Sequence, residues 1–222
     1  MLALSSTFDP QLASEMGVAM GEEFWGKGTN IQEGPGINVA RIMKNGRNFE
    51  YVSGEDPVLG SVMVAPIIDG IQQNVMSIAK HYILNNQETD RGGVNSLVDE
   101  VTLMELYSPP FAVASAKAAG FMVSVILLSS HTCSPSAQCS YNRVNGHWAC
   151  ENEYTLKNLL KGYFNFTGFV VSDWGATHST NQSLLNGLDI EMPIGKYFTP
   201  ANIQVHFPPQ SKVKDIIKKR NL

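Results

Sequence analysis

The chain of 222 residues predicts an α/β fold with parallel strands, of the (β/α)8 TIM-barrel type but incomplete. Three observations lead there. Short apolar runs alternate with segments of helical periodicity along the sequence, the pattern that βαβ units produce. About five strands can be counted, whereas a closed barrel of this kind uses eight strands and roughly 250 residues. The reading therefore expects the first and last strands to be missing. Finally, Gly168-Phe169-Val170-Val171-Ser172-Asp173-Trp174-Gly175 is a buried-strand run that ends abruptly in a carboxylate, an indole and a glycine. In barrels of parallel strands, the carboxyl ends of the strands carry the chemistry.

Each element has its own signal. Asp9-Pro10 opens a helix with a capping carboxylate and proline at the first helical position. Leu12, Met16, Ala19, Met20 and Phe24 then recur at helical spacing, and Gly26 and Gly28 end it. Asn30 to Val39 reads as a strand followed by a loop crowded with Gly34, Pro35 and Gly36. A glycine- and charge-rich loop spans Lys44 to Gly60. Val62 to Asn74 reads as a helix leading into a strand at Met76 to Tyr82. Leu97 to Lys117 is helical with a break at Pro109-Pro110, and Tyr154 to Tyr163 is a helix before the Asp173 strand. The stretch Gly175-Ala176-Thr177-His178-Ser179 is expected to open a helix, which leaves Asp173 an alternative role as its N-cap. A helix with Leu184-Leu185 returns to Leu188-Asp189-Ile190-Glu191-Met192-Pro193. Lys212 to Lys219 is a basic helical fragment.

Composition narrows the function classes. Apolar residues make up 43% and charged residues 16%, which suits a packed core. A net charge of -4 and a pI near 5.7 argue against nucleic acid, whose phosphates call for a basic face. The longest apolar run, Val123 to Leu128, is too short to span a membrane. Met1 to Leu4 lacks the basic flank of a signal peptide. The three cysteines, Cys133, Cys139 and Cys150, have no Cys-x-x-Cys spacing, so no metal is expected. Cys139 and Cys150 flank a Tyr-Asn-Arg-Val-Asn-Gly turn that suits a local disulfide. Asn165 and Asn181 begin glycan acceptor triplets, and with the cysteines they lean toward an oxidising, extracellular setting.

Polar residues gather at successive strand ends: Arg41, Arg47 and Glu50; Lys80, His81, Gln87, Glu88 and Arg91; Tyr141, Asn142 and Arg143; Asp173 and Trp174; Asp189 and Glu191. Carboxylates and cations for hydroxyls, with an indole for a flat apolar face, suit a sugar.

These motifs carry a resemblance. Gly46-Arg47-Asn48-Phe49-Glu50, Ser53-Gly54-Glu55-Asp56-Pro57, Ala79-Lys80-His81-Tyr82, Asn86-Gln87-Glu88, Cys139-Ser140-Tyr141-Asn142 and Ser172-Asp173-Trp174-Gly175 occur in the order found in glycoside hydrolase family 3. The chain resembles that family's β-glucosidase branch from about Asp9 to Pro193. The resemblance implies that residues 1–222 are a partial N-terminal barrel domain. It implies retaining hydrolysis of terminal β-D-glucosyl residues from β-glucosides or cello-oligosaccharides through a covalent glycosyl-aspartate, without metal or cofactor. Asp173 matches the nucleophile. Arg47, Lys80, His81 and Arg91 match groups that hold sugar hydroxyls, Tyr141 a tyrosine beside the nucleophile, and Trp174 a wall of the sugar subsite; Met122 is a further candidate contact. A retaining site also needs a second carboxyl about 5 Å away. In the family that acid/base lies on a second domain, absent from this chain, and no glutamate here inherits the role. A sugar-binding aspartate on an earlier strand is likewise outside the chain. Two alternatives stay open: a xylosidase-type relative, and a non-catalytic remnant. Lys80-His81-Tyr82-Ile83-Leu84-Asn85-Asn86 departs from the Lys-His-Phe-Pro-Gly-His-Gly run of the N-acetylglucosaminidase branch. The parent enzyme is expected to be extracellular.

The family also joins a methionine directly to Cys-Ser-Tyr-Asn, whereas here Val123 to Gln138 intervene between Met122 and Cys139. Valine codons begin with GT and a glutamine codon can end in AG. The segment is sixteen codons, forty-eight nucleotides, with intron-like borders, and we read it as a retained intron, with a natural loop insertion as the alternative. Its strand-forming run Val123 to Leu128 is expected to take the fourth strand and displace Tyr141.

Overall fold

The computed structural model describes residues 1–118, 136–193 and 195–206. Strands follow in the order β1 (Ile31–Gln32), β2 (Met76–Tyr82), β3 (Asn95–Ser96), β4 (Ser136–Cys139), β5 (Arg143–Val144), β6 (His147–Trp148) and β7 (Phe169–Ser172). Four of them form one sheet in the order β1-β2-β4-β7, with every neighbouring pair parallel. After β7 the chain goes out through a helix and returns. Ile190 bridges Val171 in parallel, and Ser172 N–H donates to the Ile190 carbonyl at 2.9 Å. The α/β class and the parallel sheet follow the alternation read in the sequence. The remaining strands make a small ribbon in which β5 pairs with both β3 and β6.

The helices are α1 (Leu2–Ser5), α2 (Pro10–Gly26), α3 (Pro57–Ile71), α4 (Glu100–Thr102), α5 (Pro109–Ala118), α6 (Asn181–Asn186) and α7 (Pro200–His206), with π-helical turns at Leu103–Tyr107 and Glu153–Tyr163. Asp9 caps α2, its carboxylate accepting from the N–H groups of Gln11 and Leu12 at 2.9 and 3.1 Å. Asp56 repeats the device for α3, accepting from Val58 N–H at 2.8 Å. The helix expected from Val62 therefore begins at Pro57. Cap and proline outweigh the charge-rich flank that suggested a loop. The break expected at Pro109-Pro110 falls one residue earlier, at Ser108. Pro109 occupies a first helical position, where its missing N–H costs nothing, so it opens α5. No helix opens at Gly175; α6 waits until Asn181.

Packing fixes the layers. Met63, Val64, Ile67, Ile68 and Ile71 on α3 join Ala79, Ala137, Val170, Leu156 and Leu160 in one buried cluster. Helix α2 lies on α3 at backbone contact. A Cβ on Gly17 would sit 2.5 Å from the Ile67 carbonyl oxygen, one on Gly21 2.7 Å from that of Ile71, and one on Gly70 2.6 Å from that of Ser14. Three glycines thus set this crossing.

The fourth strand corrects an expectation. The position between β2 and β7 is filled by Ser136–Cys139, all four residues buried, and not by Val123 to Leu128, which lies outside the described residues. Residues 136–138 belong to the sixteen-residue insertion, so its end supplies a central strand. Ser140 N–H then donates to the Tyr82 carbonyl at 2.8 Å, and Tyr141 keeps its place in the site. Cys139 and Cys150 are disulfide-bonded with Cα atoms 5.2 Å apart, as their spacing suggested. Cys133 lies outside the described residues.

The glycine crossing gives a stability prediction. Gly70→Ala should lower unfolding stability by about 1–3 kcal/mol through overpacking. Gly26→Ala, with open space around its Cβ, should leave it equal or slightly higher. Urea unfolding of both variants checks the contrast.

Candidate active site

Asp173 directly follows β7. Its N–H donates to the Cys139 carbonyl at 2.9 Å, so β4 fixes its backbone. The side chain turns inward and the residue is 8% exposed. Oδ1 accepts from Trp174 N–H at 2.7 Å. Oδ2 is buried with no hydrogen-bond partner among the described residues, and lies 3.5 Å from His81 Nε2. The N-cap role is set aside, since no helix begins here. Instead Ala176 N–H donates to the Asp173 carbonyl at 2.9 Å, closing a turn that takes Gly175 to φ +81°, a conformation open to glycine. Trp174 is 62% exposed and offers an indole wall beside the carboxylate.

His81 sits near the end of β2, 2% exposed. Asn38 locks its backbone from both sides: Asn38 Oδ1 accepts from His81 N–H at 2.6 Å, and Asn38 Nδ2 donates to the His81 carbonyl at 3.0 Å. Burial, then the positive charges of Arg47, Lys80 and Arg91, hold the imidazole well below its ordinary range, so it is neutral. Lys80 precedes it in β2, half-buried.

The cations are held by acids. Arg47 Nη2 donates to Glu50 at 3.1 Å and its Nη1 to Glu88 at 3.5 Å; Arg91 donates to the other Glu88 oxygen at 2.7 Å. The Arg47–Glu50 pair is therefore no isolated surface contact but one end of a partly buried chain of four charges. Arg91 lies 4.4 Å from the centre of the Tyr141 ring. Burial, then the Asp173 charge and a side-chain hydrogen bond with Asp173, push the Tyr141 phenol up to about 12. The structure thus gathers Asp173, His81, Lys80, Arg47, Arg91, Tyr141 and Trp174 on neighbouring strand ends. Met122 lies outside the described residues.

Other polar strand-end residues do structural work. Asp189 accepts from Lys161 and from Val170 N–H, pinning the return strand to β7. Glu191 accepts from the N–H groups of Tyr197 and Phe198, and Glu151 from Ser179. Trp148 on β6 is stacked on His178 at 3.8 Å and faces the Arg143 guanidinium at 4.0 Å. Among the described residues no group of three His, Cys, Asp or Glu is placed to hold a metal ion. Tyr51, Asn38 and Glu88 were not singled out as a unit from sequence, because each acts on a partner at least 30 residues away.

The fold is thus an α/β one with charged and aromatic side chains gathered at the strand ends. The model of the glycosyl hydrolase family 3 N-terminal domain matches residues 1–219, and the chain belongs to this family. It is 42% identical over 198 residues to probable beta-glucosidase L of Emericella nidulans, covering 88% of this chain and 25% of that protein. It is 40% identical over 201 residues to thermostable beta-glucosidase B of Acetivibrio thermocellus, covering 90% and 25%. Among solved structures, the beta-glucosidase DesR of Streptomyces venezuelae in complex with D-glucose superimposes with a TM-score of 0.83 at 33% identity, covering 99% of this chain and 29% of that one. The chain thus spans about a quarter of the length of these curated relatives.

The geometry generates two testable outcomes. His81 is held below its unfolded value of about 6.5, so the unfolded chain takes up the extra proton. Stability is full above that pH and is lost as pH falls through it, by at most about 1.4 kcal/mol per pH unit. Urea unfolding between about pH 5 and 7 should show this slope, and His81→Gln should flatten it; His178, also held low by burial, adds a smaller part. Separately, Cys150→Ser should lower stability by about 2–4 kcal/mol by opening the loop that carries Tyr141. Non-reducing peptide mapping and thermal unfolding test the pairing and its effect.

Proposed function

We propose that this chain is the nucleophile-bearing part of a retaining β-glucosidase, an incomplete (β/α)8 barrel whose remaining strands and acid/base domain belong to a longer parent. One observation carries the reading: the Asp173 carboxylate stands at the end of β7 with Oδ2 buried and without a hydrogen-bond partner among the described residues, beside an exposed indole and a neutral imidazole that itself feels Arg47, Lys80 and Arg91. The family membership and the named β-glucosidase relatives support it.

In this mechanism Asp173 Oδ2 attacks the anomeric carbon of a terminal β-glucosyl unit as the bond to the leaving oxygen breaks. A carboxyl group from outside this chain donates the proton to that oxygen, and then takes a proton from the water that cleaves the glycosyl-aspartate. Lys80, Arg47, Arg91 and His81 bind sugar hydroxyls, and Trp174 covers a ring face. The glutamates Glu50, Glu88, Glu151 and Glu191 are each committed to cations, a hydroxyl or backbone N–H groups, which supports an acid/base from elsewhere. Met122 remains assigned to the sugar site. The parent acts on β-glucosides or short β-glucans outside the cell, consistent with the disulfide.

The segment from Val123 to Gln138 is proposed to be foreign to the mature domain. A buried parallel strand is ordinarily an apolar run, yet β4 reads Ser-Ala-Gln-Cys, and Gln138 Oε1 is buried without a partner among the described residues. Such an orphan costs about 1–3 kcal/mol. Removing the segment sets Gly120-Phe121-Met122 directly before Cys139. The deletion should raise the urea midpoint, and the mature transcript should lack these codons; a mature transcript that retains them overturns the retained-intron reading.

The activity is tested in a chimera in which residues 9–193, without 123–138, replace the matching segment of thermostable beta-glucosidase B. It should hydrolyse an aryl β-glucoside. Asp173→Ala should lose at least about a thousandfold in rate, ~4 kcal/mol of barrier; a loss under about thirtyfold would mean a different nucleophile. Residues 1–222 alone should show no turnover.

A further inference from the structure

Tyr51 has a side chain with 0% exposure in a region where neither charge nor hydrophobic pattern marks it as functional. Its hydroxyl lies 3.0 Å from His81 Nδ1, and its ring stands edge-on to the imidazole at 5.9 Å. Gly36 holds the ring from the other side: a Cβ there would come 2.7 Å from the Tyr51 ring. Tyr51, His81 and Asp173 therefore form a buried line of three groups running from the barrel wall to the candidate nucleophile.

Two proton arrangements fit a neutral imidazole, and they are not equivalent. With the proton on Nδ1, Nε2 would turn its lone pair on Asp173 Oδ2 at 3.5 Å. A carboxylate also presents only lone pairs, so the two would repel in a site nearly closed to water. The Tyr51 hydroxyl would then accept from Nδ1, and among the described residues its own proton would be left without a recorded acceptor. With the proton on Nε2, both conflicts vanish: Tyr51 donates to Nδ1, and Nε2 carries its proton on the side where Asp173 Oδ2 lies 3.5 Å away. Burial pushes the Tyr51 phenol upward, so its proton stays available for donation.

We propose, resting on the nucleophile role assigned to Asp173 above, that Tyr51 is a positioning residue whose hydroxyl locks His81 as the Nε2–H tautomer. A neutral donor of this kind orients Asp173 Oδ2, or a sugar hydroxyl that comes between them, without neutralising the carboxylate as an imidazolium would. Asn38 fixes the histidine backbone, and Tyr51 fixes its proton.

Long-range ¹H–¹⁵N correlation spectra of the ¹⁵N-labelled chain read the tautomer directly, with His81→Gln assigning the ring. The expected result near neutral pH is a protonated Nε2 and a bare Nδ1 for His81. Tyr51→Phe should lose that locked pattern, mixing in the Nδ1–H form. A dominant Nδ1–H form or an imidazolium in the unaltered chain overturns the proposal, as does an unchanged pattern in a folded Tyr51→Phe variant. If that variant does not fold, the spectrum of the unaltered chain decides. No turnover is involved, so failure of Asp173 as nucleophile in the chimera would be seen separately.

Discussion

The site depends on one backbone hydrogen bond, from Asp173 N–H to the carbonyl of Cys139. That bond ends the β4–β7 ladder, and on the other side of β4 Ser140 N–H ends the ladder with β2 by donating to Tyr82. One short strand thus sets how far His81 and Asp173 project relative to each other. A slip of one residue would move a strand by about 3.3 Å and turn its side chains to the opposite face. The disulfide from Cys139 to Cys150 resists such a slip. Just beyond the strand end, the Asn142 side chain adds to it by donating to the Ile83 carbonyl at 3.2 Å.

Charge placement follows the same economy. Among the described residues no Lys or Arg pairs with the buried Asp173 carboxylate; Arg47 and Arg91 are turned toward Glu50 and Glu88. Asp173 Oδ2 is left with the imidazole, His81 Nε2 lying 3.5 Å away.

Much of this was legible in sequence for physical reasons that differ by element. The starts of α2 and α3 could be read where Asp-Pro stands, because cap and proline are local signals, though the second was outweighed by its charged flank. Strand β2 was read with its observed bounds, Met76 to Tyr82, and Asp173 from its abrupt place after the apolar run Phe169 to Val171. Strand β4 was not, since Ser-Ala-Gln-Cys carries no periodicity and its burial is imposed by its neighbours. The π-helical turn at Leu103–Tyr107 has no side-chain signature. Tyr51 was invisible because its meaning lies in one contact across thirty residues, and local pattern holds no record of such a pairing.

The chain has three tryptophans, and their settings separate them optically. Trp25 ends α2 at 54% exposure. Trp148 has its ring stacked on His178 and facing Arg143, which leaves it little freedom to meet a solute. Trp174 alone is both open to solvent and attached to the site. A change of intrinsic emission that is lost in Trp174→Phe and kept in Trp25→Phe would therefore report on the site, so the molecule carries its own optical probe there.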